Sequence, residues 1–224
     1  MANAARFDPR SVPVVRVDDH LPAVAPVLLR PDALRRRAWP GAVGGASERA
    51  GQGRAAAVLI PLVMHAEPTV LLTMRSDQLS SHAGQIAFPG GAIDMADASP
   101  VHAALREARE EVGLAPQLVE VLGELPVCFT STGFRVTPVV GLVDVAADWQ
   151  PNPGEVSGVF QVPLHYLMTP SNHRWHRAVL AGAAREWLSM PYSDQGLERY
   201  IWGATAQMLR SLYDVLVNTD APQP

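Results

Sequence analysis

An α/β fold, a mixed sheet covered by helices on both faces, is predicted by three observations. Apolar, partly β-branched runs occupy Ala57 to Val63 and Thr69 to Met74, a well-bounded helix lies between Ser99 and Gly113, and apolar residues recur at helical spacing near the C-terminus. In chain order, residues 1 to about 38 carry short apolar runs, Val12 to Val15 and Val24 to Leu29, broken by prolines and followed by Arg35-Arg36-Arg37. They read as an N-terminal arm with one helix. Residues 39 to 54 are rich in glycine and small side chains, which lose much backbone entropy on ordering and bury little area in return, so 1–54 is expected to be an arm plus a flexible linker.

The compact part begins at Ala55, where the first two strand runs are joined by His65-Ala66-Glu67-Pro68 as a hairpin or adjacent strands. Ser99 is a natural N-cap, Pro100 suits the first helical position, and Gly113 stands just past the last turn. Val101, Ala104, Leu105, Ala108 and Val112 form the apolar stripe of this helix, so its acidic residues are expected on a different side. Leu118 to Leu122, Val136 to Val145 and Val156 to Val162 are further strand candidates, separated by turn residues such as Pro151-Asn152-Pro153-Gly154. Trp202, Ala206, Leu209, Tyr213 and Leu216 mark a closing amphipathic helix. Residues 219–224 form a tail.

At 224 residues and 48% hydrophobic composition the chain can bury one sizeable core. A formal net charge of -4 gives no electrostatic reason to expect nucleic acid or an anionic membrane as partner, although a small anionic ligand stays compatible with locally basic sites. All 18 basic residues are arginine, from which no function follows. The single cysteine, Cys128, between Val127 and Phe129, excludes an internal disulfide framework and reads as a buried thiol in a reducing compartment. No stretch approaches the roughly 18 apolar residues that span a bilayer, and the first 40 residues lack the plan of a secretory signal, so a cytoplasmic location is expected.

Chemistry concentrates in Arg106-Glu107-Ala108-Arg109-Glu110-Glu111-Val112-Gly113-Leu114, downstream of Phe88-Pro89-Gly90-Gly91. Glu107, Glu110 and Glu111 stand in i, i+3, i+4 relation, and each like-charge pair costs the helix a few tenths of a kcal/mol. A bound hard cation removes that cost, and clustered carboxylates holding Mg2+ or Mn2+ suit phosphate chemistry. On spacing alone, a solvated acidic face is the better reading of the cluster. Arg106, four residues before Glu110, is placed to pair with it. His173 and His176 read as a surface pair, having no cysteine or third histidine beside them, and Trp175, Trp187, Tyr192 and Trp202 read as core or interface aromatics. No Gly-Lys-Ser/Thr follows the glycine turn, which excludes a P-loop.

These residues resemble the Nudix box, G-x5-E-x7-R-E-U-x-E-E-x-G-U with U a bulky aliphatic residue. The second half fits except for the small Ala108. In the first half, one extra loop residue brings Gly91 into register and sets Asp97 where the pattern has its first glutamate, a position that is structural in the family. Upstream, Leu71-Leu72-Thr73-Met74-Arg75-Ser76, Gly84 and Phe88-Pro89-Gly90-Gly91 resemble the motif of the coenzyme A pyrophosphatase subfamily, L-L-T-x-R-[SA]-x3-R-x3-G-x3-F-P-G-G, with Ser80 in place of its second arginine. Thr132 to Gly141, Asn152 to Val156 and Ile201 to Ala206 are also similar to segments of these enzymes, and the resemblance covers roughly residues 55 to 215.

The resemblance implies an α/β/α sandwich over 55–218 that hydrolyses coenzyme A or an acyl derivative to 3',5'-ADP and a 4'-phosphopantetheine product. Mg2+ or Mn2+ would be held by Glu107, Glu110, Glu111 and the Gly91 carbonyl, with Arg106 fixing the carboxylates and Glu155 as a further ligand or general base. Arg75, Ser76, Gly84, Phe88 and Gly90 would contribute to substrate binding, and a homodimer is common among related enzymes. Ser80 leaves room for ADP-ribose or a nucleotide sugar as substrate. A catalytically silent nucleotide-binding module is the alternative of another class, marked by loss of the helix glutamates, which are all present here.

Overall fold

A computed structural model describes residues 7–41, 53–76, 84–180, 182–194 and 196–218. In chain order its elements are β1 (Val14–Val17), α1 (Pro31–Arg35), β2 (Arg54–Val63), β3 (Thr69–Arg75), β4 (Ile86–Ala87), β5 (Gly90–Ala92), α2 (Pro100–Val112) and β6 (Val119–Glu124). They continue with β7 (Cys128–Phe129), β8 (Phe134–Val143), β9 (Val156–Pro163), α3 (Leu164–Leu167), β10 (Arg174–Leu180), β11 (Ala183–Asp194), β12 (Leu197–Trp202) and α4 (Gly203–Val217).

The strands form two sheets. An eight-stranded mixed sheet runs β4-β3-β2-β8-β6, with β5 on β2, β7 on β8 and β9 on β3. Among the described residues only β2 and β8 pair in parallel, from Arg54 beside Phe134 to Val63 beside Val143. The first two strand runs begin as a hairpin, pairing at Leu62–Val70 and Val63–Thr69, and then β3 takes β9 as its longer partner.

Side chains alternate across the central strands, as period two requires. Ala57, Leu59 and Val63 of β2 join Val139 and Val143 of β8 beneath α2. Ala56, Ile60 and Leu62, with Val136, Val140 and Leu142, face the opposite core, where α3, α4 and the second sheet pack. The helix boundaries coincide with their sequence signals: Ser99 Oγ accepts from the His102 N–H at 3.1 Å, and Gly113, at φ 73°, ends α2 in the left-handed region.

The second sheet, in the order β1-β10-β11-β12, is antiparallel and was not foreseen from the sequence. Its first strand comes from the N-terminal arm, and Leu29 and Leu34 of that arm lie in the main core. The described part of the arm is thus packed on the body. The expected linker lies largely, and the tail from 219 wholly, outside the described residues.

His173 and His176 correct the expectation of a surface pair, because both are buried in this region. Each finds partners there. His173 Nε2 is 2.8 Å from the Leu167 carbonyl, and His176 bonds the Val12 carbonyl through Nδ1 (2.9 Å) and Ser189 Oγ through Nε2 (2.8 Å). Burial holds His173 below the usual histidine range, toward the neutral ring. Asp18 anchors the arm, accepting from Trp175 Nε1 at 2.8 Å and pairing with Arg210 of α4. Cys128 is buried, as its neighbours indicate. Among the described residues no helix is long and apolar enough to cross a membrane.

Candidate active site

Two glycines set the spacing here, Gly90 between β5 and β2 and Gly91 between β5 and α2. A Cβ on Gly90 would stand 2.4 Å from the Ala57 carbonyl oxygen, and one on Gly91 would stand 2.6 Å from Glu107 Oε1. The backbone contact at Gly90 excludes a side chain there, whereas a side chain at Gly91 would push the Glu107 carboxylate aside, so the glycine turn leaves that carboxylate its place. The Gly90 N–H donates to Glu111 Oε2 at 3.1 Å.

Helical geometry then sorts the three glutamates. At roughly 100° per residue, Glu107 and Glu111 lie about 40° apart around the axis, whereas Glu110 is about 100° from Glu111. Glu111 is accordingly only 4% exposed, at the edge of the apolar stripe, while the Glu110 side chain is 52% exposed. The acidic residues therefore do not share one face. Glu107 and Glu111 instead meet Glu155, and one oxygen from each carboxylate lies within 4.8 Å of the others. Glu110 stands outside this group, on Arg106.

Glu155 reaches the helix through its loop. The Asn152 N–H donates to the Glu111 carbonyl at 2.8 Å, the Glu155 N–H to the Asn152 carbonyl at 3.0 Å, and Asn152 Nδ2 to Glu155 Oε1 at 3.3 Å. On the other side, the buried Ser76 gives its N–H to the Glu155 carbonyl at 2.8 Å. Ser76 thus positions the third carboxylate through backbone, while Arg75, at the end of β3, brings Nη1 to 3.9 Å from Glu111 Oε1. The Gly84 N–H donates to the Arg75 carbonyl at 3.1 Å, and Phe88 is core on one side and cleft wall on the other. Ser80 lies outside the described residues.

Arg106 organises the acidic side chains. Its Nη1 donates to Glu107 Oε1 (2.9 Å) and Glu110 Oε2 (3.0 Å), Nε and Nη2 grip Asp97 (3.1 and 2.9 Å), and Nη2 also reaches the Ala92 carbonyl (3.2 Å). Asp97 in turn accepts from the Asp94 N–H and bonds His102 Nδ1. Arg106 above all holds the Asp97 carboxyl well below its usual range. Asp97, set where the box pattern has its first glutamate, is tied to the arginine and not to the carboxylate group.

Burial acts in the opposite direction on Glu107 and Glu111. It raises Glu107 and pushes Glu111 up to about 7, with the Gly90 N–H and Arg75 opposing the rise. Desolvated carboxylates facing one another are an unfavourable arrangement for bare charges, and a hard divalent cation bound by their oxygens compensates it. The donor set, all carboxylate oxygen, fits Mg2+ or Mn2+.

These groups open into a cleft of about 1040 Å³ between the two sheets. Its other walls include Arg54, Phe134, Thr130, Trp187 and Trp202. Of these, Arg54 and Thr130 belong to no run that the sequence marks as chemical, and only the fold brings them to the cleft.

A NUDIX domain model matches residues 53–183. Over 161 residues the chain is 47% identical to proteins of Salmonella paratyphi B and Salmonella newport, each described as an uncharacterized Nudix hydrolase NudL, with 71% of this chain and 81% of each relative covered. Similar solved structures include a Caenorhabditis elegans Ap4A hydrolase binary complex (TM-score 0.44, 19% identity, 51% of this chain and 85% of that one). The NUDIX domain of Shewanella oneidensis NrtR complexed with ADP ribose is another (TM-score 0.40, 23% identity, 54% and 79%). With the family model covering more than half of the sequence and its glutamates gathered at the glycine turn, the chain belongs to the Nudix family and is a Nudix hydrolase.

Proposed function

We propose that this hydrolase cleaves the diphosphate of coenzyme A or an acyl derivative, releasing 3',5'-ADP and 4'-phosphopantetheine or its acyl form, with Mg2+ or Mn2+ at Glu107, Glu111 and Glu155. The observation that carries the reading is the resemblance of the run from Leu71 to Gly91 to the coenzyme A pyrophosphatase motif, together with the contacts that four of its described residues make at the carboxylate group. Arg75 of that run approaches Glu111, Ser76 holds Glu155, and Gly90 and Gly91 seat the helix.

When bound, the metal neutralises diphosphate charge and lowers the pKa of a water molecule. The protein supplies the rest by positioning. Arg106 fixes Glu107, the Gly90 N–H fixes Glu111, and Asn152 fixes Glu155, so the oxygens are held before substrate arrives. Arg75 offers a fork of donors for a phosphate oxygen beside the carboxylates, and Glu110 supports the site through Arg106.

The test offers purified protein with Mg2+ or Mn2+ coenzyme A, ADP-ribose and NADH separately, with products resolved by chromatography. Formation of 3',5'-ADP from coenzyme A as the fastest reaction is expected. A much higher kcat/KM on ADP-ribose would overturn the coenzyme A reading, and turnover of none would favour a silent module.

A further inference from the structure

The cleft contains a cation and a set of hydroxyls that the metal-centred chemistry does not use. Arg54 opens β2, and Arg54, Ala56 and Val58 alternate along the cleft floor with Phe134 and Val136 of the parallel neighbour β8. The Arg54 guanidinium lies 5.9 Å from the Phe134 ring centre, and its backbone N–H donates to the Gly133 carbonyl at 2.9 Å. That bond ties it to the turn carrying Thr130, Ser131 and Thr132, all of which line the cleft. Thr130 Oγ1 accepts from the Phe134 N–H at 3.0 Å and lies 3.0 Å from Thr132 Oγ1, so the hydroxyls are held by the turn itself.

Among the described residues Arg54 forms no ion pair. Of the other cleft arginines, Arg210 is committed to Asp18 and Asp214 and Arg75 sits beside Glu111, while Arg185, which like Arg54 forms no ion pair among the described residues, lies on β11 across the cleft. Arg54 is also at a definite remove from the carboxylates. Gly91, on which Glu107 rests, pairs with Ala57, three residues along β2 from Arg54 and hence roughly 10 Å away along the strand. That separation suits a nucleotide with its diphosphate on one ribose hydroxyl and a monoester phosphate on another.

We infer that Arg54, with the hydroxyls of Thr130, Ser131 and Thr132, forms a second anion site that takes a phosphomonoester borne by the nucleoside of the substrate, apart from the diphosphate that is cut. The inference rests on the coenzyme A reading, whose nucleoside carries a 3'-phosphate, and it makes Arg54 the residue that distinguishes that nucleoside from a plain adenosine diphosphate.

Calorimetry on the full chain, titrated with 3',5'-ADP and separately with 5'-AMP, tests the site without turnover. The bisphosphate is expected to bind roughly 10- to 100-fold tighter, the range of a hydrogen bond to a charged group. Arg54→Gln should remove most of that preference, Arg54→Lys should restore part of it, and Arg185→Gln should leave it intact. In steady-state assays Arg54→Gln should raise KM for coenzyme A and not for its 3'-dephospho form. Equal binding of the two nucleotides by the wild type, or a preference that survives Arg54→Gln or depends on Arg185, would overturn the second site even if coenzyme A is cleaved. A preference lost in Arg54→Gln in a protein that does not cleave coenzyme A would sustain the anion site and sink the substrate reading alone.

Discussion

The two faces of the large sheet are built by different means. Beneath α2 the structure is local: a capped helix, a two-glycine seat and an arginine gripping the aspartate nine residues before it. Across the sheet the structure is long-range, with β1 pairing β10, Asp18 reaching Trp175 and Arg210, and Tyr213 donating to the Pro22 carbonyl. The first face carries charge that the fold tolerates for chemistry, and the second carries polar groups that the fold satisfies for itself. Changes on the first should cost activity and spare stability; changes on the second should do the reverse.

The sharpest break would come from Glu111→Gln. Loss of a metal-facing oxygen should reduce kcat by orders of magnitude, while the metal-free protein should melt at or above the wild-type temperature because a buried ionisable group has gone. Near-normal turnover would remove α2 from the mechanism.

Leu34→Ala probes the other face. Leu34 is fully buried in the core that the arm helps to close, and the substitution should cost about 2–5 kcal/mol of stability. Chemical denaturation measures the loss, and kcat below the transition should hardly change. A large kcat loss in a folded variant would show that the faces are not separable.

Proton linkage sharpens the contrast. The Glu111 carboxyl is raised from 4.5 to about 7 in the folded, metal-free state. Its contribution is therefore fully present below about pH 4.5 and is lost as pH rises toward 7, a change on the order of 3 kcal/mol. Thermal melts in chelator should show this trend, Mg2+ or Mn2+ binding should release protons in the same window, and metal affinity should fall as pH drops through it. Glu111→Gln should flatten all three. A pH-independent metal affinity would contradict the desolvated-carboxylate picture.

A smaller effect is expected at Arg106→Lys, which keeps the charge and loses the fork that holds Asp97, Glu107 and Glu110 together. Activity should fall about 10- to 100-fold through displaced carboxylates. An Asp97→Asn variant should lose activity in the same direction, and full activity in both would mean that the carboxylates hold their places unaided.

The same contrast explains what the sequence made legible. Ser99, Pro100 and Gly113 act within a turn of α2, so that helix could be bounded from neighbours alone, and the strand runs at 57–63 and 69–74 stand out because both their faces are buried. β10 and β11 present exposed charges such as Arg174, Arg177, Arg185 and Glu186 between their few buried residues, and β1, which pairs β10 and completes the sheet, is some 160 positions upstream. No local pattern announces such a sheet. His173 and His176 looked hydrophilic enough for the surface, yet carbonyl groups and a serine hydroxyl make their burial affordable. Within the site, spacing grouped three helix glutamates; helical rotation divided them, and Glu155 joined two of them through a loop that sequence pattern marked only by resemblance.

The Asn152 N–H that docks on the Glu111 carbonyl has a consequence for how this chain can vary. One residue, Glu111, joins the carboxylate group with its side chain and anchors a loop with its backbone, so the last turn of α2 and the segment from Gln150 to Glu155 form a single mechanical piece. The Gln150 N–H on the Val112 carbonyl and the close fit of Gln150 against Gly113 extend that piece to the helix end. A substitution at Gly113, remote from any phosphate, would then be felt as a misplaced third carboxylate, and selection on chemistry would reach residues that never touch a substrate.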